Sequence, residues 1–135
     1  RPSIETSLHA VLPHRVVVHV HSVATIAHAI RADGEECLAR KLAGLAWRWV
    51  PYCRPGVPLT RAVVAALATG PADILVLGNH GLVVGGDDPV STEALLGEVE
   101  HRLYLPVRPL PQAVVEEAGR GWPEGSVPEG YCPAP

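Results

Sequence analysis

The stretch Arg15-Val16-Val17-Val18-His19-Val20-His21-Ser22 decides how the chain is read. Three β-branched valines lead into two histidines placed two positions apart, the composition of a strand. Alternate residues of a strand project from one face, so both imidazoles can point at one spot. Neutral imidazole is the commonest side-chain ligand for zinc and its first-row neighbours. A metal needs at least a third protein ligand, and His80 in Leu77-Gly78-Asn79-His80-Gly81-Leu82 is the candidate. It stands where the apolar run Ile74-Leu75-Val76-Leu77 breaks at glycine, as a strand would end. A competing reading makes His19 and His21 half-buried strand residues with no ligand, because this spacing alone is not specific.

Working outward, Ser3 and Glu5 suggest the start of a helix with Leu8, Val11 and Leu12 inward and Pro13 ending the turn. An acid in a first helical turn is commonly a solvated group favoured by the helix dipole, and Glu5 fits that description. His9 and His14 read as surface groups or as groups beside a site. Residues 15–21 form the first strand. Ser22 caps a helix to Ile30 with Val23, Ile26, Ala27 and Ile30 inward and His28 solvated. A second helix follows over 35–43, with Cys37, Leu38 and Leu42 inward. Trp47 and Trp49 share one side of a short strand over 46–50, which runs into the loop Pro51-Tyr52-Cys53-Arg54-Pro55-Gly56.

Pro58 opens an amphipathic helix to Thr69, with Leu59, Val63, Ala66 and Leu67 as its stripe, stopped by Gly70-Pro71. Strands are expected over 72–77 and 82–84, with Gly85-Gly86-Asp87-Asp88 as a turn. A long helix over 91–104 follows, with Ala94, Leu95, Val99 and Leu103 inward. From Arg108 onward proline and glycine dominate, with one short helical candidate over 113–118. This part reads as an extension wrapped on a neighbour or as a linker.

Composition narrows the class. With 135 residues, 47% of them apolar, the chain can bury one core, and one domain is expected. Acids and bases are mixed at a net charge of −3, which gives no basic stripe for nucleic acid and no membrane-surface helix. No apolar run approaches the roughly 20 residues needed to span a bilayer. Cys37, Cys53 and Cys132 are scattered and odd in number, so reduced thiols in a cytoplasmic protein are expected. The chain contains no methionine and starts at Arg1, and it reads as a fragment or as the ordered part of a longer protein.

Taken together, Pro2-Ser3-Ile4-Glu5, His19-Val20-His21 and Asn79-His80-Gly81 resemble the class II aldolase/adducin family over residues 1–104. The stretch from Glu5 to His19 is most similar to members of rhamnulose-phosphate-aldolase type, some of them fused to a dehydrogenase. The resemblance implies an α/β fold, a three-layer α/β/α sandwich around a mixed, largely antiparallel sheet. Residues 1–104 would be the C-terminal portion of that metal-binding domain, its N-terminal part missing, and 105–135 a Pro/Gly-rich extension. The acidic residue of the family's first motif falls on Glu5, as catalytic residue. The zinc ligands fall on His19, His21 and His80, with another divalent transition metal as the alternative to zinc. Ile4 stands where the family usually has a serine. The loop holding Tyr52 resembles the one that carries a proton-donating tyrosine across a subunit boundary in fuculose-phosphate aldolase. Simple packing of Tyr52 within its own loop is the equal alternative.

The chemistry so implied is cleavage or formation of a carbon–carbon bond in a sugar phosphate or a related hydroxy-ketone, in a homo-oligomer with a tetramer favoured. Sugar-phosphate epimerisation or decarboxylation would use the same ligands. A non-catalytic adducin-like binding module would keep the fold without needing Glu5 and all three histidines.

Overall fold

The computed structural model describes residues 3–106 of the 135, and both the proline-rich extension beyond and the helix expected over 113–118 lie outside them. Five helices and four strands alternate through the described part. They are α1 (Thr6–Ala10), β1 (Val16–Val20), α2 (Val23–Ala29), α3 (Gly34–Lys41), β2 (Trp47–Val50), α4 (Val57–Ala68), β3 (Ile74–Leu77), β4 (Gly81–Gly86) and α5 (Pro89–Leu103). The strands form one sheet in the order β1-β4-β3-β2. β1 runs antiparallel to β4, with His19 opposite Val83, and β3 and β4 form an antiparallel hairpin with Leu77 opposite Gly81. β2 runs parallel to β3, with Trp49 opposite Val76, which requires the crossover that α4 supplies. The sheet is therefore mixed and mostly antiparallel.

Strand alternation divides the core in two. Leu75, Leu77 and Val83 face α1 and α4, where Leu8, Leu59 and Val63 meet them, with Val17 packed at the edge. Ile74, Val76, Leu82 and Val84 face the other way, onto Ala29, Leu38, Leu42, Val99 and Leu103 of the α2, α3 and α5 layer. Both faces of β3 and β4 are covered, so these strands read as unbroken apolar runs, as sheets buried on both sides do. The result is an α/β/α sandwich.

Several local expectations need correction. α1 begins two residues later than Ser3 suggests: Glu5 sits at its N-cap, and the Ser3 hydroxyl accepts a bond from the Glu5 amide at 3.2 Å. β4 continues through Gly85 and Gly86 where a turn was expected, because both pair with β1. The glycines are needed there for space. A Cβ on Gly85 would lie 2.2 Å from the His14 ring, and one on Gly86 2.4 Å from the Thr92 hydroxyl. α5 starts at Pro89, capped by Asp88, whose Oδ1 accepts from the Val90 and Ser91 amides. Its buried face is Thr92, Val99 and Leu103, with Leu95 half-buried and Ala94 exposed.

α2 is the largest departure. Val23 and Ile30 are exposed at 82% and 62%, while Thr25, His28 and Ala29 are the buried residues. A seven-residue helix has too little periodicity to declare its own inner face; the packing of α3, α5 and β4 around it decides. His28 is tolerated inside because both ring nitrogens are engaged. Its Nε2–H donates to the Leu103 carbonyl at 3.1 Å, which leaves Nδ1 to accept from the Cys37 thiol at 3.8 Å. The ring thereby ties α2 to the end of α5.

Candidate metal centre

The strand β1 delivers His19, and His21 follows two residues on, just past the strand's end. Both have the parity of Val17, so they lie on the α1 side of the sheet. His80 arrives from the β3–β4 turn, next to β1 in strand order. α1 stands over the same end and presents Glu5 from its N-cap. One ligand atom from each of Glu5, His19, His21 and His80 lies within 4.8 Å of the others. The three imidazole centroids are 5.0 to 5.2 Å apart, in tilted or edge-on arrangements.

Space for these rings comes from Gly81. A Cβ there would lie 2.5 Å from the Val20 carbonyl oxygen, 3.2 Å from the His21 ring and 3.4 Å from His19 Nε2. The glycine lets β1 and β4 stay paired directly beneath the imidazoles.

The electrostatics favour uncharged ligands. Burial pushes the His19 pKa down against an opposing pull from Glu5, and the His21 ring adds to the lowering. Burial lowers His80 likewise, followed by the His19 and His21 rings. Neutral imidazole is the form that binds metal. Glu5 Oε1 lies 2.9 Å from His19 Nδ1, so that nitrogen carries the proton and donates to the carboxylate, and Nε2 holds the lone pair. His19 Nε2 and His80 Nδ1 are buried with no hydrogen-bond partner among the described residues. Buried polar atoms are rarely left so, and a cation is one group that would satisfy them.

The donor set fits a divalent transition metal: three imidazoles and a carboxylate are ligands of borderline softness. Donors on a four-coordinate ion at about 2.0–2.1 Å stand roughly 3.4 Å apart. In the present group the four donor atoms lie within 4.8 Å of one another.

Tyr52 is outside the group. Its side chain is 61% exposed, although its backbone passes close to Gly78, two residues before His80. His9 is a neighbour that the sequence placed only loosely: its Nε2 lies 4.0 Å from Glu5 Oε2, one helical turn along. His14 belongs elsewhere, bonded through Nε2 to Asp73 Oδ1 at 2.9 Å and set against Gly85. No helix among the described residues is long and apolar enough to cross a membrane.

Fold and site together define a class II aldolase-like domain, and residues 1–105 match the family model for the Class II Aldolase and Adducin N-terminal domain. The chain belongs to the class II aldolase and adducin family. Among its relatives, "Uncharacterized oxidoreductase YuxG" of Bacillus subtilis (strain 168) is 40% identical over 88 residues, which cover 64% of this chain and 13% of that protein. A solved N-terminal class II aldolase domain of a conserved Thermoplasma acidophilum protein superposes with a TM-score of 0.67 at 30% identity, over 76% of this chain and 46% of that one. L-fuculose 1-phosphate aldolase superposes at 0.54 and 21% identity, over 90% of this chain and 57% of its own, a likeness of fold. The chain thus spans a small part of the Bacillus protein and about half of the solved chains.

The lowered histidines imply a pH dependence. His19, His28 and His80 all have folded pKa values below the ordinary imidazole value, burial being the largest cause in each. The unfolded chain therefore takes up protons first on acidification. The stability that these three groups contribute is fully present above about pH 6.5 and is lost as the pH falls from there through the folded values. Thermal unfolding in chelator, followed from about pH 8 to about pH 5, is expected to show a midpoint level above about 6.5 and falling below it. A midpoint that stays level throughout would contradict the burial argument.

Proposed function

We propose that this domain carries the catalytic centre of a metal-dependent aldolase, an aldehyde-lyase acting on a sugar phosphate or related hydroxy-ketone. The observation that carries the reading is the convergence of Glu5 with His19, His21 and His80 at one end of the sheet, with Glu5 half-exposed. The three histidines would hold a divalent ion, zinc being the first choice for this donor set. When bound, the ion supplies Lewis-acid stabilisation of the negative charge that develops on the donor half's carbonyl oxygen.

The chain's own groups do the rest. In cleavage, the hydroxyl beside the scissile bond passes its proton to solvent while Glu5 takes one up from solvent, the carbon–carbon bond breaks to give an aldehyde, and its electron pair remains with the donor half. Glu5 then delivers a proton to the donor carbon, and in the condensing direction removes it. The His19 Nδ1–H bond holds Oε1, so the carboxylate faces the cluster in one orientation while Oε2 stays free of a close partner. Burial of His19 keeps that imidazole neutral, so the bond orients Glu5 without quenching it as a base. Tyr52, exposed near the same end of the sheet, is proposed as a proton donor reaching a neighbouring subunit's site.

The intact protein is expected to hold about one divalent ion per chain. It should release an aldehyde from at least one member of a ketose-phosphate panel, with release abolished by chelator and restored by metal. Absence of both metal and aldehyde release would leave the binding-module reading in its place. Metal with isomerised product and no aldehyde would favour the epimerase reading.

A further inference from the structure

The turn that brings His80 to the cluster contains the one non-glycine residue with a positive φ among the described residues. Asn79 has φ 49°. The left-handed region is disfavoured for side-chain-bearing residues, and asparagine tolerates it better than most. Its neighbours leave the turn little freedom. Gly78 is buried, and a Cβ on it would lie 3.0 Å from the Tyr52 amide nitrogen and 3.1 Å from the Trp49 ring. Gly81 is pressed against the Val20 carbonyl and the His19 and His21 rings. The His80 amide closes the turn on the Leu77 carbonyl at 3.1 Å, one residue before the β3–β4 ladder resumes with Leu77 opposite Gly81.

Both ends of the connection are thus held by packing and by strand pairing, and the conformation in between rests on Asn79. His80 is the next residue in sequence. Any relaxation of the Asn79 backbone out of the left-handed region rotates the following peptide and carries the His80 ring with it. The ring now lies 5.0 Å from His19 and 5.1 Å from His21, so a small displacement separates the donors. Asn79 is exposed and its side chain makes no hydrogen bond among the described residues, which points to the backbone as the seat of its contribution.

We propose that Asn79 is a positioning residue for the metal centre, acting through its left-handed backbone to set where His80 stands. The inference rests on the reading of His19, His21 and His80 as metal ligands, and deepens it. A residue that merely stabilised the fold would change the melting temperature and leave the affinity of the folded protein for metal unchanged. A positioning residue changes the affinity itself.

The test compares Asn79→Ala, Asn79→Gly and wild type in the intact protein, using zinc affinity from competition with a chromophoric chelator alongside thermal unfolding in chelator. Alanine disfavours the left-handed region, whereas glycine enters it freely. Asn79→Ala is expected to bind zinc about 10-fold more weakly, within the range seen when support for a metal ligand is removed. Asn79→Gly is expected to bind within about 2-fold of wild type, because it restores the conformation without the amide. Should Asn79→Ala fail to fold, the glycine variant still decides: weakened binding there assigns the role to the side chain and overturns the inference. Undiminished affinity in a folded Asn79→Ala overturns it equally. A wild-type protein that binds no zinc or other divalent transition metal defeats the underlying ligand reading, a result separable from either variant's failure.

Discussion

His80→Ala is expected to lower affinity for a divalent transition metal by more than about 100-fold, the upper end of what loss of mere second-layer support costs. Two imidazoles remain, one short of the three proposed to hold the ion, and the half-exposed Glu5 carboxylate is a weaker substitute because His19 Nδ1–H already engages it. The fold should survive. His80 lies in a turn, outside both core clusters, and its buried Nδ1 has no partner among the described residues. Deleting a ring with an unsatisfied buried atom removes a cost instead of adding one. In chelator the variant should therefore unfold at or slightly above the wild-type temperature, while wild type alone should gain stability when metal is restored, since binding to the folded state adds to its stability. Metal content measured after exhaustive dialysis is the direct reading. A variant that keeps its ion would show that His80 is a turn residue near the cluster and no ligand.

The second large effect belongs to Glu5. Glu5→Gln preserves the side chain's length and leaves an oxygen to accept from His19 Nδ1, but it cannot exchange a proton with substrate. Turnover should fall by the roughly 10²–10⁴ typical of a lost general acid–base group, with metal content nearly intact. The split between retained metal and lost turnover matters, because Glu5 is also close enough to act as a fourth donor. If the variant turns over normally with metal bound, Glu5 is a solvated acid at a helix start that happens to meet His19. Loss of metal together with turnover would assign it to coordination alone.

Much of the fold was legible because the decisive segments carry strong local patterns. The runs at Val16–Val20 and Ile74–Leu77 are too apolar and too β-branched to be surface segments, and Leu59 and Val63 fall at helical spacing behind a proline. The two histidines at strand spacing needed only alternation to share a face. Glu5 was different. Its chain position declares a helix start and nothing more, and only the docking of α1 over β1 places its carboxylate 2.9 Å from His19. His28 was misread because amphipathic spacing in α2 gives Val23 and Ile30 the inner face by hydrophobicity, while the elements packed around it bury Thr25 and His28 instead. A histidine whose two nitrogens find a carbonyl and a thiol far along the chain has no local signature of being buried.

Local pattern in the sequence placed the four strands, with β4 cut short at Val84, most of the helices, the shared face of His19 and His21, and the residue types able to hold a metal. These follow from interactions among near neighbours, which periodicity and turn residues record directly. Tertiary structure alone decided that β4 lies between β1 and β3, which sets His80 beside a histidine pair some sixty residues earlier. It also decided which face of α2 is inside, that Glu5 reaches His19, and that Gly81 must lack a side chain to sit against the Val20 carbonyl and the His19 and His21 rings. The reason is that strand order and helix docking minimise the exposed apolar surface of the whole chain, and no single segment carries that sum.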